Sequence, residues 1–229
     1  MIKVLGSWDE VGHAINTLRK KGLCLHGDPV KNWDLIQIND ILENYDNTIN
    51  VLDMGCGETN LAVIRFLHQK DLRNCCGIDL SISRKDRLSQ IGLMVKNKTL
   101  RPPFRLTEGD LTKTKYPSNS FDLIICLSVI EHGVDIESFL KEASRLLKSS
   151  GSLYISTDYW EPKLSTNGLN RPFGLSWNIF SKAEIKSLIS LSKKYNFQMK
   201  NEDIPSTGKK IIHWNDRDFT VISLVLKKE

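Results

Sequence analysis

The sequence predicts a doubly wound α/β domain, and three observations predict it. Short apolar runs end on a glycine or a carboxylate, helical periodicities alternate with them, and the last two runs are joined by a loop with no helix between. The 229 residues, 40% of them hydrophobic, suffice for one well-buried core, and no Pro/Gly/Ser-rich linker divides them.

Each element has a local reason. Ser7-Trp8-Asp9-Glu10 has the form of a capping box, after which Val11, Ile15 and Leu18 share a helical face until Gly22 supplies a stop. Residues 26–32, with Gly27 and Pro29, read as a loop and 35–42 as a second helix. A buried strand over 50–54 leads through two glycines into a helix over 61–67. The pattern then repeats: strand 75–79, helix 84–92, strand 104–106, a strand 121–127 that is apolar but for Asp122, helix 136–147, a Ser150-Gly151 turn and strand 152–156. Ser181-Lys182-Ala183-Glu184 is a second capping box, opening a helix that runs to about Tyr195. Residues 198–203 and 219–226 read as strands linked without a helix, which makes them antiparallel. The expected architecture is a mostly parallel seven-stranded sheet, covered on both faces, with an antiparallel C-terminal edge hairpin.

Composition narrows the function classes. The net charge of +5 comes from 32 basic against 27 acidic residues, and pairs such as Lys193-Lys194, Lys209-Lys210 and Lys227-Lys228 read as solvated faces, so nucleic acid is not indicated. The five cysteines, at 24, 56, 75, 76 and 126, lack a Cys-x-x-Cys spacing and read as reduced, mostly buried thiols of a cytoplasmic protein. The N-terminus has no basic segment followed by an apolar core, and no apolar stretch approaches the length of a membrane span. Oligomeric state is not legible.

The most informative segment is Val51-Leu-Asp-Met-Gly-Cys-Gly-Glu-Thr-Asn60. Gly55 and Gly57 let the backbone turn tightly out of a strand and approach a ligand, the geometry of a nucleotide-binding first βα turn. Asp53, two residues before the first glycine, would repel a pyrophosphate and welcome a cationic amino acid head. Asn60 stands where the dinucleotide fingerprint wants a third glycine. Both departures point away from a dinucleotide and towards S-adenosylmethionine. Asp79, about 20 residues beyond the glycines at the end of the second strand, can accept hydrogen bonds from both ribose hydroxyls. Each carboxylate also has an ordinary use as a helix cap or turn former.

Four segments in order carry a resemblance: Asp53, Gly55 and Gly57; Gly77-Ile78-Asp79-Leu80-Ser81; Glu108-Gly109-Asp110-Leu111; and Phe121-Asp122-Leu123-Ile124 through Glu131-His132. Together, over residues 48–157, the chain resembles a class I S-adenosylmethionine-dependent methyltransferase of the Asp-x-Gly-x-Gly subgroup. The resemblance implies a Rossmann-like fold in which Asp53 holds the ammonium of the cofactor. Asp110 would meet the adenine amino group, Leu80 and Leu111 would sandwich the ring, and Ser128 would fall where the methionine arm and the acceptor meet. Residues 1–47 would form N-terminal helices that lid a cofactor-binding domain of residues 48–229. His26-Gly27-Asp28 and Trp33 lie in that lid.

Methyl transfer from a sulfonium needs donor and acceptor held in line more than it needs a catalytic side chain. A hydroxyl or protonated amine is helped by a base, and His132, just beyond the fourth strand, is the candidate; Glu131 and His132 also suit a plain turn cap. A Glu-x-x-Glu-His metal site is known in this segment of related enzymes, but here Ser128 replaces the first glutamate, so no metal is expected. Residues 158–180 form an aromatic-rich loop in which Trp160, Arg171 and Trp177 are substrate-side candidates, with packing onto the domain as the alternative. The expected acceptor is a small or medium-sized molecule methylated at oxygen or nitrogen. The rivals are an RNA or protein methyltransferase and a cofactor-binding partner subunit without catalysis.

Overall fold

The computed structural model describes residues 1–57, 61–96, 103–206 and 208–229. The first half of the chain gives β1 (Ile2–Val4), α1 (Trp8–Lys20), α2 (Asn32–Leu42), β2 (Asn50–Met54), α3 (Ala62–Gln69), β3 (Asn74–Asp79), α4 (Arg84–Lys96) and β4 (Arg105–Glu108). The second half gives β5 (Phe121–Leu127), α5 (Ile136–Leu146), β6 (Leu147–Tyr159), a 3-10 turn (Pro172–Gly174), α6 (Lys182–Lys194), β7 (Phe197–Gln198), β8 (Ile212–Trp214) and β9 (Arg217–Lys228). Asn60 lies outside the described residues.

The sheet is ordered β1-β9-β6-β5-β2-β3-β4, parallel from β6 to β4 and antiparallel where β9 meets β6. Chain order runs outward from β2 to β4 on one side and from β5 to β6 on the other. The switch point, and with it the crevice at the carboxyl ends of the strands, therefore falls between β2 and β5. Alternation along the strands divides the core in two. Val51, Leu123, Ile125 and Tyr154 pack with Leu35, Ile38, Ile64 and Phe66 of α2 and α3 on one face. Leu52, Ile124, Cys126 and Ile155 pack with Phe139, Leu140, Ile185 and Ile189 of α5 and α6 on the other.

Helix starts follow the sequence. Ser181 and Glu184 form the full reciprocal box, and Asp135 caps α5 by accepting from Ser138 N–H. At α1 the box is only half made. Ser7 accepts from Glu10 N–H, while the Glu10 carboxylate turns to Gly6 N–H at 3.0 Å and to the Trp33 indole at 3.1 Å, which ties α1 to α2.

The expected strand count is corrected from seven to nine among the described residues, and the expected edge hairpin is redrawn. Of the segment read as a strand over 198–203 only Gln198 is in one, as the end of β7 (Phe197–Gln198), and the hairpin partner of β9 is β8. β9 is also not an edge: β8, β1 and β7 pair along its outer side, at residues 217–219, 222–224 and 227–228. Strands of two or three residues have no room for a period, so nothing in the sequence announces them. The Ser150-Gly151 turn survives inside β6 as a bulge: Leu147 pairs with Phe121 and Ser152 with Leu123, leaving 148–151 opposite Asp122 alone.

Candidate functional site

A cavity of about 620 Å³ opens at the switch point. Gly55, Gly57, Asp79, Leu80, Ser81, Asp110, Leu111 and Thr112 form one end of it. The β2–α3 turn fits there because it lacks side chains. Gly55 has φ +89°, and a Cβ on it would lie 2.1 Å from Val129 Cγ2. A Cβ on Gly57 would lie 2.8 Å from both Asp79 Cγ and the Ser81 carbonyl oxygen.

The structure brings together Gly55, Gly57, Asp79, Leu80, Asp110, Leu111, Ser128 and His132 on the walls of this one cavity. Asp79 is held by Gly57 N–H at 2.8 Å and Ser81 N–H at 3.3 Å, and a carboxylate has capacity for further donors beyond these. Asp110 Oδ1 is engaged by Thr112 N–H and its hydroxyl. Asp53 sits behind the turn. It is 2% exposed, does not line the cavity, and finds no hydrogen-bond donor among the described residues. Burial, with Asp79 nearby, pushes its carboxyl up to about 8.

The second end of the cavity holds His26, Asp28, Lys31, Ser128, His132, Phe173 and Leu175. Ser128 ends β5 in a left-handed conformation, φ +52°, with its N–H donating to Ser156 carbonyl at 2.9 Å. Lys31 Nζ donates to the Ser128 hydroxyl oxygen. His132 meets Phe173 edge to face at 5.2 Å, and its Nδ1 is buried without a partner. Burial, then the Lys31 charge, drops His132 to about 4, so the imidazole is neutral at neutral pH.

Beneath this end lies a set of buried carboxylates. Asp34 accepts from Tyr154 hydroxyl at 2.8 Å, Glu131 from Thr157 hydroxyl at 3.0 Å, and Asp158 from the Trp177 indole at 2.9 Å. Burial raises all three above the ordinary carboxylate range. Burial also works against the Lys31 charge, but Asp34, Asp158, Glu131 and Asp28 outweigh it and hold Lys31 above its ordinary value.

Three expected substrate-side residues lie elsewhere. Trp177 is buried with Ile179 and Phe219 and stacks edge to face on Trp214; Trp160 packs at the border of that cluster beneath the Lys210 ammonium; Arg171 is exposed. The 158–180 loop reaches the cavity through Phe173, whose φ of +57° presents the ring, and through Leu175. His213 pairs with Asp218 on the β8–β9 hairpin. Cys56 is buried, its thiol pushed up by burial, in keeping with a packing role.

Lys31 is the residue that sequence reading missed. Its signal was positional: it occupies the N-cap of α2 without making a side-chain cap bond, and a cation there opposes the helix dipole. Among the described residues no group of three or more His, Cys, Asp or Glu is placed to hold a metal, and no helix is long and apolar enough to cross a membrane.

Comparison with known proteins agrees with this geometry. Residues 52–155 match the family described as a methyltransferase domain. A ubiquinone biosynthesis O-methyltransferase of Pelagibacter ubique is 28% identical over 199 residues, covering 76% of this chain and 77% of that protein. A sterol 24-C-methyltransferase of Aspergillus fumigatus is 30% identical over 108 residues, 45% of this chain, which spans only 26% of that enzyme. Among solved structures, a geranyl diphosphate C-methyltransferase of Streptomyces coelicolor, in complex with Mg2+, geranyl diphosphate and S-adenosyl-L-homocysteine, superposes with a TM-score of 0.65. The identity there is 14%, with 89% of this chain and 85% of that one covered, so the likeness is one of fold. The glycine turn that only a missing Cβ permits, two carboxylates at one end of a switch-point cavity and the methyltransferase domain matched over residues 52–155 converge on an S-adenosylmethionine-dependent methyltransferase.

Proposed function

We propose that the protein methylates a small or medium-sized acceptor, at oxygen or nitrogen, held at the second end of the cavity. The observation that carries this reading is the division of the cavity into two chemically different ends. Asp79 would take the ribose hydroxyls, Asp110 the adenine amino group, and Leu80 and Leu111 the faces of the ring. Asp53 would act on the cofactor ammonium from behind the turn, through water or the backbone. The bound cofactor supplies an electrophilic methyl carbon on a sulfonium. His26, Asp28, Lys31, His132, Phe173 and Leu175 remain for the acceptor, and a cavity of this size accommodates a ring-sized molecule beside the methyl group.

The N-terminal segment 1–47 serves as the lid of the cavity. Leu35 and Ile38 of α2 anchor it in the core, while the 26–31 loop closes over the acceptor end. The ubiquinone-pathway relative, an O-methyltransferase by name, supports a small-molecule acceptor. Incubation with methyl-labelled cofactor and a panel of phenols, carboxylic acids and amines tests the reading. Label should move to at least one small acceptor. Tight cofactor binding with transfer to none of them, or transfer only to RNA or protein, would overturn it.

A further inference from the structure

We propose that Lys31 and Ser128 form an oxyanion-binding pair that receives the acceptor as the conjugate base of an acidic hydroxyl, so that the substrates are phenol-type or enol-type compounds. The proposal rests on the reading of the cavity as a small-molecule methyltransferase site.

The ammonium of Lys31 is incompletely partnered. Among the described residues its only hydrogen-bond acceptor is Ser128 Oγ, and none of Asp28, Asp34, Glu131 or Asp158 forms a direct ion pair with it. An ammonium has three donors, so two are free on a wall of the cavity. Because Ser128 Oγ accepts from Lys31, its own O–H is left to donate in turn. Two donors are thus held side by side at the point where the methyl group and the acceptor meet.

Unsatisfied polar atoms concentrate in this neighbourhood. Among the described residues, His26 Nε2 and His132 Nδ1 are buried without a partner, and both residues line the cavity with Lys31. Such groups are rare in folded proteins and mark places where a ligand or water completes the network.

The chemistry around the pair selects the acceptor. Asp28, Asp34, Glu131 and Asp158 keep Lys31 charged. None of the four forms an ion pair with it, so its remaining donors stay open to the cavity. A protonated amine would meet a like charge there. An aliphatic alcohol would need a strong base, and the neighbouring His132 is a weak one, depressed to about 4. A phenol or enol needs none. It loses its proton to solvent before transfer, its oxygen lone pair forms the new C–O bond, and the C–S pair returns to sulfur, so sulfonium and oxyanion become a thioether and a methyl ether. Phe173 and Leu175 offer apolar surface to the body of such a molecule.

The probe is 4-nitrophenol, whose ionised form absorbs visible light, titrated with pH against the full-length protein in the presence of S-adenosylhomocysteine. The bound dye should ionise at least about one pH unit below the free dye, a tenfold preference for the anion. Lys31→Met should abolish the shift, Lys31→Arg should retain most of it, and Ser128→Ala, which keeps the cation, should reduce it. Calorimetry on the same samples follows S-adenosylhomocysteine binding separately. Failure of the dye to bind, an unshifted bound dye, or an equal shift in both Lys31→Met and Ser128→Ala would overturn the proposal while leaving cofactor binding intact. Loss of S-adenosylhomocysteine binding in the unmodified protein would instead remove the methyltransferase reading on which the proposal stands.

Discussion

Gly57 N–H donates to Asp79 Oδ2 at 2.8 Å, which joins the glycine turn after β2 to the end of β3. The two halves of the expected cofactor site therefore position each other. Gly57→Ala would drive a Cβ into the Asp79 carboxyl and the Ser81 carbonyl, and the second of these is backbone that cannot swing aside. Calorimetry with S-adenosylhomocysteine should show affinity falling by more than about tenfold. Asp79→Ala should cost about 10–100-fold, the worth of hydrogen bonds to a charged group. Unchanged affinity in Asp79→Ala would remove the ribose role.

Asp53 offers a proton-counting test. Burial and the nearby Asp79 raise it to about 8, so without ligand it is mostly protonated at pH 7. An arriving ammonium favours the ionised form, and binding should then release a proton. Calorimetry in buffers of different ionisation enthalpy measures that proton, and Asp53→Asn should abolish its release. The stability consequence has a definite sign. A folded-state value raised from 3.8 to about 8 means that the contribution from Asp53 is full below pH 4 and is lost as pH climbs towards 8. The unliganded Asp53→Asn variant should lack that decline in its thermal melts.

His132 has the opposite shift. Its folded value lies at about 4, below the ordinary 6.5, so the neutral ring stabilises the fold above pH 6.5 and that stability is lost as pH falls towards 4. Proton NMR should find this imidazole titrating near 4. In Lys31→Met the midpoint should move up towards 6.5, because one of its two causes is gone. A midpoint that stays put would show burial acting alone.

Tyr154 ties β6 to α2 through a fully buried hydroxyl on Asp34. Tyr154→Phe leaves Asp34 Oδ1 without its donor and should cost about 1–3 kcal/mol in chemical denaturation. Ser181→Ala, which removes the capping box of α6, should cost about 1 kcal/mol.

Local signals in the sequence reported local structure well. β5 appears where the apolar run from Leu123 to Leu127 places it, and β2 from Asn50 to Met54, because strands buried on both faces need no alternation to be recognised. Gly55, Gly57, Asp79 and Asp110 stand on one cavity because the turn and the strand ends that the sequence announces fall at the same edge of the sheet. Lys31 and Ser128 are 97 positions apart and meet only through tertiary packing. The aromatic loop misled for a related reason: composition marks Trp160 and Trp177 as ligand-sized, yet only the fold shows Trp177 spending its indole N–H on Asp158 and its faces on Phe219 and Trp214.

The three short strands along the outer side of β9 also bear on how copies of the chain behave at high concentration. A twelve-residue strand left bare would be a template onto which a second molecule could add its own backbone, the first step of ordered aggregation. Here the template is broken into pieces by segments from three different parts of the chain, one of them only a few residues from the amino terminus. Trimming the first five residues would take Ile2 and Leu5 out of the core and also reopen the middle of that ladder, so the short strand near the amino terminus serves solubility as well as folding.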